Sequence, residues 1–174
     1  MSFRFQSEQW IPMPLEKGFR FFANPGNLAR IMPAWMRVEL ISVKIVAPPG
    51  VAAVTATVAD GEPFAGAGSE LKACYRVLPL LPFRICSVAL ITEFVMNEYF
   101  ADVQKQGPFK RWHHRHEFVA ESRNGINGTV VRDRVEYEVG FAWLGSLVNQ
   151  LFIAPQMRRT FAHRQAALEK LLHV

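Results

Sequence analysis

Two histidines and two aspartates fall on one face of three successive strand-like segments. The middle segment reads RWHHRHEF, and its period-two alternation puts His114 and His116 on the opposite side from the long charged side chains. Asp102 and Asp133 lie on the corresponding faces of the flanking segments. Imidazoles beside carboxylates suit general acid–base chemistry, because a carboxylate fixes the imidazole tautomer and stabilises its cation. We therefore predict that these four residues lie together as catalytic or ligand-binding groups.

The pairing of these residues follows from two turn signals, Gly107-Pro108 and Asn124-Gly125. A turn centred between Asn124 and Gly125 places His116 opposite Asp133, and a turn centred on Pro108 places Asp102 opposite His114. Directly opposed side chains are about 5 Å apart at Cβ, within reach of a hydrogen bond. A two-residue slip would keep the faces and change the partners. The prediction is therefore a buried His116–Asp133 pair beside a His114–Asp102 pair.

Three roles are open to this polar set, because an unsatisfied buried polar group costs about 1–3 kcal/mol. The groups satisfy one another and fix the strand register, or they form the polar floor of a binding cavity, or they perform catalysis. His114, His116 and Asp133 also form a set of two histidines and one carboxylate, which binds iron or zinc in other proteins. That spacing alone is weak support, so no metal ion and no cofactor are predicted.

Other inward-facing residues are predicted to line the cavity. Alternation from an outward Cys86 makes Glu93 point inward and face Phe100. The predicted ligand-binding residues are Glu93, Phe100, Trp112, Phe118, Tyr75, Tyr137 and Phe152.

Composition limits the function classes. The chain has 174 residues, 50% hydrophobic and 20% charged, which predicts one globular domain over residues 1–174. The net charge of +5 is spread out without a basic run, so no nucleic-acid partner is expected, and we expect a monomer or homodimer. No membrane span and no signal peptide are predicted, so the default location is the cytoplasm. Cys74 and Cys86 face each other in a predicted hairpin and are expected to be reduced there.

Periodicity and breakers set the element order. A first strand is followed by two short helices, one over 14–23 and one that starts at Asn24-Pro25 and ends before Pro33. Further strands follow, interrupted by a region rich in Ala, Gly and Pro over 47–68 that we expect to be mostly loop. A long helix over 144–173 closes the chain, and Pro155 is expected to kink or break it.

This order resembles the helix-grip fold of the SRPBCC, or START-like, superfamily. The opening pattern from Ile11-Pro12 to Pro33 fits that superfamily. The run from Ile91 to Tyr137 is similar to a bacterial ligand-binding branch labelled "cyclase/dehydrase". The resemblance implies an α+β fold, with a curved antiparallel sheet of about seven strands around a long C-terminal helix and a cavity between them.

The function expected first is the binding of a hydrophobic or aromatic small molecule, lipid-like or polyketide-like, in that cavity above the His/Asp/Glu floor. A cyclase or dehydratase that uses the His/Asp pairs as general acid and base is the alternative. A non-catalytic interaction domain with a collapsed cavity is the third.

Overall fold

A computed structural model describes residues 1–48, 64–77, 83–140 and 144–172. Within these ranges an antiparallel seven-stranded sheet has the order β1-β7-β6-β5-β4-β3-β2, so β1 and β7, the first and last strands in the sequence, are neighbours. The strands are β1 Ser2–Ile11, β2 Glu39–Lys44, β3 Glu70–Arg76, β4 Arg84–Val95, β5 Tyr99–Gln106, β6 Arg111–Arg123 and β7 Ile126–Glu138. The α-helices are α1 Leu15–Ala23, α2 Leu28–Ile31, α3 Gly145–Val148 and α4 Ala154–Leu172.

The strand register around the polar residues is the one that the turn signals predict. His116 lies opposite Asp133, and Asp102 lies opposite His114. Asn124 and Gly125 have φ angles of 50° and 78°, the left-handed conformation of a tight two-residue hairpin turn. The predicted register is therefore confirmed for these strands.

The two predicted short helices after the first strand are also present. Pro14 directly precedes α1, and the side chain of Asn24 then accepts a hydrogen bond of 2.9 Å from the backbone N–H of Gly26. This cap starts a 3₁₀ turn over Pro25–Asn27 that leads into α2.

Two apolar clusters fill the space between the sheet and the helices. The first packs α1 against β5, β6 and β7 through Phe19, Phe100 and Phe118. The second packs α4 against β7 through Tyr137 and Phe161. The polar residues of β6 lie between the two clusters, because Phe100 contacts the His116 ring at 4.5 Å and Phe161 contacts the His114 ring at 5.8 Å.

Pro155 was expected to kink or break the C-terminal helix, and the structure has a change of helix type next to it instead of a break. A π-helical segment, Asn149–Ile153, directly precedes α4, and Pro155 is the second residue of α4. The wider π turn accommodates the proline ring and its missing N–H, so the helix continues. The π segment also changes the helical phase, and Leu147, Leu151 and Phe152 are exposed rather than on the packed face.

The prediction of two reduced cysteines is wrong for this structure. Cys74 and Cys86 are directly opposed on β3 and β4 with their Cα atoms 4.0 Å apart, and they form a disulfide. The expected solvent-facing position holds for Cys86, which is exposed, but not for Cys74, which is buried at 7% exposure.

Most of the predicted loop over 47–68 lies outside the described residues. Phe64 and Ala65, in its C-terminal part, are buried, and Phe64 joins the cluster around Phe19. No helix among the described residues is long and apolar enough to cross a membrane.

Candidate functional site

The four predicted catalytic residues come together beneath α4. His114, His116 and Asp133 are 8%, 7% and 8% exposed, and Asp102 is half-buried. The adjacent strands β5, β6 and β7 position them, because the period-two alternation directs all four to the concave face. A fifth group, Arg164 on α4, is also buried at 8% exposure.

Asp133 is the centre of the group. Its Oδ1 lies 2.9 Å from Nε2 of His114 in a hydrogen bond, and 2.7 Å from Nδ1 of His116. The angle of the second contact is outside hydrogen-bond geometry, so His116 Nδ1 has no hydrogen-bond partner among the described residues. Nη2 of Arg164 is 4.0 Å from the same oxygen. Asp133 therefore bridges both imidazoles, where the sequence predicted one partner for each aspartate.

Asp102 lies on the other side of His114. Its Oδ2 is 3.7 Å from Nδ1 of His114, too far for a hydrogen bond but close enough for a direct charge interaction. The side chain of Trp112 lies close enough to this carboxylate to oppose part of the rise in its pKa. His114 is thus held between two carboxylates, with one ring nitrogen toward each.

Burial and charge move the pKa values of the two carboxyl groups in opposite directions. Burial raises the pKa of Asp102, and the nearby imidazoles offset only part of this effect. Burial acts on Asp133 in the same sense, but the charges of Arg164 and His116 and the hydrogen bond from His114 hold its pKa well below the usual value. Burial, with the charge of His116, lowers the pKa of His114. The structure therefore favours an ionised Asp133 and a neutral His114.

The predicted inward position of Glu93 is wrong. Its carboxylate accepts hydrogen bonds from His113 at 3.0 Å and from Arg115 at 2.8 Å, on the outer face of the sheet. The cause is a β-bulge, because Ile91 pairs with Asp102 and Glu93 pairs with Ala101, so Thr92 is an extra residue. Each residue after Thr92 faces the side opposite to the simple alternation.

The predicted aromatic contacts divide into three groups. Phe100 and Phe118 are buried in the cluster around Phe19, and Phe100 contacts the ring of His116. Trp112 contacts the ring of His114, and Tyr137 packs against Trp112. The hydroxyl of Tyr137 donates a hydrogen bond of 2.7 Å to Asn149. Tyr75 lies on β3, three strands from β6, and Phe152 is 57% exposed. Their roles in ligand binding stay predictions.

Arg164 was missed as a site residue. The sequence carries a signal for it, because Phe161, Arg164 and Leu168 follow one another at spacings of three and four on one helix face. A charged residue on an otherwise apolar face needs a buried partner. Arg164 has Asp133 and also the ring of Phe161, which is 4.7 Å from its guanidinium carbon. Its Nε has no hydrogen-bond partner among the described residues.

A small cavity adjoins this group between α4 and the sheet. Its volume is about 10 Å³, enough for roughly one water molecule. Asp133 and Arg164 supply its charged groups. The lining residues are Gln9, Phe22, Val131, Asp133, Phe161, Arg164, Gln165 and Leu168.

The stability of the fold is expected to depend on pH through His114. Its pKa in the folded protein lies below its unfolded value of about 6.5, so the unfolded chain takes up this proton first as the pH falls. The contribution of His114 to the free energy of unfolding is therefore complete above about pH 6.5, and it is lost as the pH falls toward the pKa of His114 in the folded protein. The expected slope is at most about 1.4 kcal/mol per pH unit. Urea unfolding between pH 7.5 and 5, in metal-free buffer, measures it.

His114→Gln should reduce that slope, whereas His113→Gln on the outer face should keep it. Asp102 acts in the opposite sense, because its pKa is raised in the folded protein and its contribution is lost as the pH rises. For this reason the difference between wild type and His114→Gln is the measured quantity. If the stability of wild type and of His114→Gln changed in parallel with pH, the slope could not be assigned to His114.

Similarity to known proteins is found at the level of structure. No family model and no curated protein matches the chain by sequence. A START superfamily protein from Mycobacterium smegmatis is similar in structure, with a TM-score of 0.61 at 16% identity over 98% of this chain and 97% of that chain. The protein TTHA0849 from Thermus thermophilus gives a TM-score of 0.60 at 18% identity, over 97% and 96% of the two chains.

The third similar structure is Ara h 8.0201, with a TM-score of 0.57 at 15% identity over 99% of this chain and 98% of that chain. At such identities the likeness concerns the fold. All three matches span nearly the whole of both chains, and the antiparallel sheet and long C-terminal helix have the predicted order. The chain therefore has the α+β helix-grip fold that its sequence predicted.

Proposed function

We propose that the protein binds a small apolar or aromatic molecule, lipid-like or polyketide-like, between α4 and the sheet. The floor of the site consists of His114, His116, Asp133 and Asp102. Glu93, which the sequence placed in this floor, is not part of it, and Arg164 takes its place as a further charged group. The START-like fold supports this proposal, since it is a ligand-binding fold.

The observation that carries the proposal is the unsatisfied donor of Arg164. A buried N–H without a partner costs about 1–3 kcal/mol, and Nε of Arg164 is such a group among the described residues. Arg164 also lines the cavity, whose other walls include the rings of Phe22 and Phe161. A ligand with an aromatic or aliphatic body and an acceptor group, such as a carboxylate or phenolate, satisfies both features.

The ligand needs more room than the present cavity. About 10 Å³ holds a water molecule but no organic molecule, so binding requires that α4 move away from the sheet. The π segment that precedes α4 is a suitable hinge, because π turns interrupt regular helical hydrogen bonding and are frequent at functional sites. Exposed Leu147, Leu151 and Phe152 lie at this end of the helix.

Native mass spectrometry and thermal shift test the proposal with fatty acids and polyphenols as probes. The protein is expected to retain one of these probes and to be stabilised by it. Arg164→Met should lower the affinity for acidic probes about tenfold or more, because a hydrogen bond to a charged group contributes about 1.5–3 kcal/mol. Arg159→Met, an exposed arginine on the same helix, is the matched control.

Equal affinity of wild type and Arg164→Met for acidic probes would remove Arg164 from the site. No retained mass and no thermal shift with any probe would favour the third function, an interaction domain with a collapsed cavity. Binding is measured at a temperature at which all variants are folded, since Arg164→Met also leaves Asp133 without its positive neighbour.

An enzyme of cyclase or dehydratase type is the second candidate. The observation that favours it is the position of His114 between Asp133 at 2.9 Å and Asp102 at 3.7 Å. One carboxylate fixes the tautomer while the opposite nitrogen is available for proton transfer. Incubation of retained ligands with wild type and His114→Gln, followed by product analysis, distinguishes this candidate. A product that forms only with wild type supports it.

We further infer that residues 1–174 act as one domain, because β1 near one end and α4 near the other pack together through Phe5 and Phe161 at 4.7 Å. The protein acts as a monomer or homodimer without nucleic acid. A cytoplasmic location stays a prediction, and the disulfide weighs against it, because disulfides persist mainly in oxidising compartments.

A further inference from the structure

We propose that Asp102, His114 and His116 hold a divalent first-row transition-metal ion. One donor atom from each residue lies within 4.8 Å of the other two. Two donors on one ion are at most about 4 Å apart, since each bond is about 2 Å long. His114 Nδ1 and Asp102 Oδ2, at 3.7 Å, already meet this limit. The third donor, on His116, lies within 4.8 Å of the other two, so ion binding requires its imidazole to move closer.

Asp133 has the position of a residue that orients metal-binding imidazoles. Such imidazoles generally donate their second ring N–H to a carboxylate, which fixes the tautomer. His114 Nε2 donates to Asp133 at 2.9 Å, which leaves Nδ1 free on the side of Asp102. Nδ1 of His116 is 2.7 Å from the same carboxylate oxygen, which leaves Nε2 of His116 free. Asp133 therefore fixes the ring of His114 by a hydrogen bond and lies against the Nδ1 edge of His116. The ligating carboxylate is Asp102 rather than the Asp133 that the sequence spacing indicated.

The charge of the group also accommodates a cation. When Asp102 and Asp133 are both ionised they carry two negative charges, and Arg164 carries one positive charge at 4.0 Å from Asp133. With both imidazoles neutral, the described cluster has one excess negative charge in a largely buried place. A buried unpaired charge is strongly unfavourable. A divalent ion at Asp102 compensates it on the side away from Arg164.

The donor set selects the class of ion. Two imidazoles and one carboxylate suit Zn²⁺, Fe²⁺ or Co²⁺, whereas Mg²⁺ prefers oxygen ligands and retains its waters. The side chain of Asp102 is 19% exposed, so an ion has a route from solvent. Three protein ligands leave a coordination position open for water or a substrate oxygen. This inference is independent of the organic ligand proposed above.

Titration of the metal-free wild type with Co²⁺ or Zn²⁺ alone tests the proposal. We expect one equivalent of Co²⁺ to bind, with the visible absorption bands of nitrogen and oxygen ligands in an ordered site. Zn²⁺ should displace it, and Mg²⁺ in excess should not. During the Zn²⁺ titration, the NMR signals of the two imidazoles show whether both rings bind the ion. Absence of stoichiometric binding of Co²⁺, Zn²⁺ and anaerobic Fe²⁺ by the folded wild type would overturn the site.

Variants assign the ligands. Loss of a ligand should weaken Co²⁺ binding more than loss of the orienting residue Asp133, for which Asp133→Asn is expected to cost roughly 10–100-fold in affinity. The ligand variants are Asp102→Asn, His114→Gln and His116→Gln. His113→Gln, on the outer face of the same strand, and His163→Gln, exposed on α4, are the matched controls. Circular dichroism establishes that each variant is folded. Unchanged Co²⁺ affinity in folded His114→Gln and His116→Gln, or loss only in a control, would overturn the assignment.

Discussion

Asp133→Ala is expected to lower the free energy of unfolding by about 3–5 kcal/mol, the usual cost of removing one partner from a buried ionic group. The carboxylate is 8% exposed and is the common neighbour of His114, His116 and Arg164. Its removal leaves the guanidinium buried with no carboxylate within reach on β7, and it leaves a hydrogen-bond donor of His114 unsatisfied. Urea unfolding at pH 7.5, followed by circular dichroism, measures the loss.

A double-mutant cycle separates this cause from general damage to β7. Arg164→Met in the Asp133→Leu background should cost less than Arg164→Met alone, by about 0.5–3 kcal/mol, because the two charges are then removed together. Arg132→Ala is the matched control on the same strand. Arg132 pairs with Glu8 at 2.6 Å, but both side chains are about half exposed, so its loss should cost within about 1 kcal/mol. A coupling energy below about 0.5 kcal/mol, which means that the two single effects add, would show that Asp133 is not coupled to Arg164.

The strand register at the site could be predicted because two independent features of the sequence agree there. Alternation gives the faces of β6 and β7, and the turn at Asn124-Gly125 has the residue types that a tight hairpin requires. Once the turn centre is set, each pairing follows by counting, and His116 opposite Asp133 is confirmed. Counting gives the opposed residues but not the side-chain contacts. The rotamers direct His114 diagonally to Asp133, and this makes Asp133 the shared partner.

Glu93 shows where counting fails. The same alternation that works for β6 was applied along twelve residues of β4, and a single extra residue at the bulge between Ile91 and Glu93 reverses the faces that follow. A bulge without glycine has no clear compositional signal. The two cysteines are a different case, since their opposition follows from register while the bond between them depends on oxidation.

The C-terminal helix could be predicted in extent but not in phase. The apolar residues before and after Pro155 were assigned to one face, as in an uninterrupted helix with a kink. A π segment changes the angle between successive residues, so a face defined before it does not continue after it. Phe152 is consequently exposed, while Arg164 lies on the packed face with Phe161 and Leu168. The buried arginine is the part of the site that depends most on this phase.

Phe19→Ala is expected to destabilise the protein by about 3–5 kcal/mol, the range for removal of a buried aromatic side chain. Phe19 is 0% exposed at the centre of the first apolar cluster. Its ring contacts those of Phe118 at 5.0 Å, Phe94 at 5.4 Å and Phe100 at 5.8 Å. These rings belong to three strands, so no single neighbour can fill the space that alanine leaves. Urea unfolding measures the change.

Phe83→Ala is the control for Phe19→Ala, because Phe83 is 69% exposed and its loss should cost within about 0.5 kcal/mol. The Phe19→Ala variant also tests the link between the core and the site. Phe100 contacts both Phe19 and the ring of His116, so a cavity at position 19 should change the NMR signals of His116 more than those of His113 on the outer face. A loss of stability below about 1 kcal/mol for Phe19→Ala would mean that α1 does not pack against the sheet as described, and the apolar wall on the Phe100 side of His116 would then be absent.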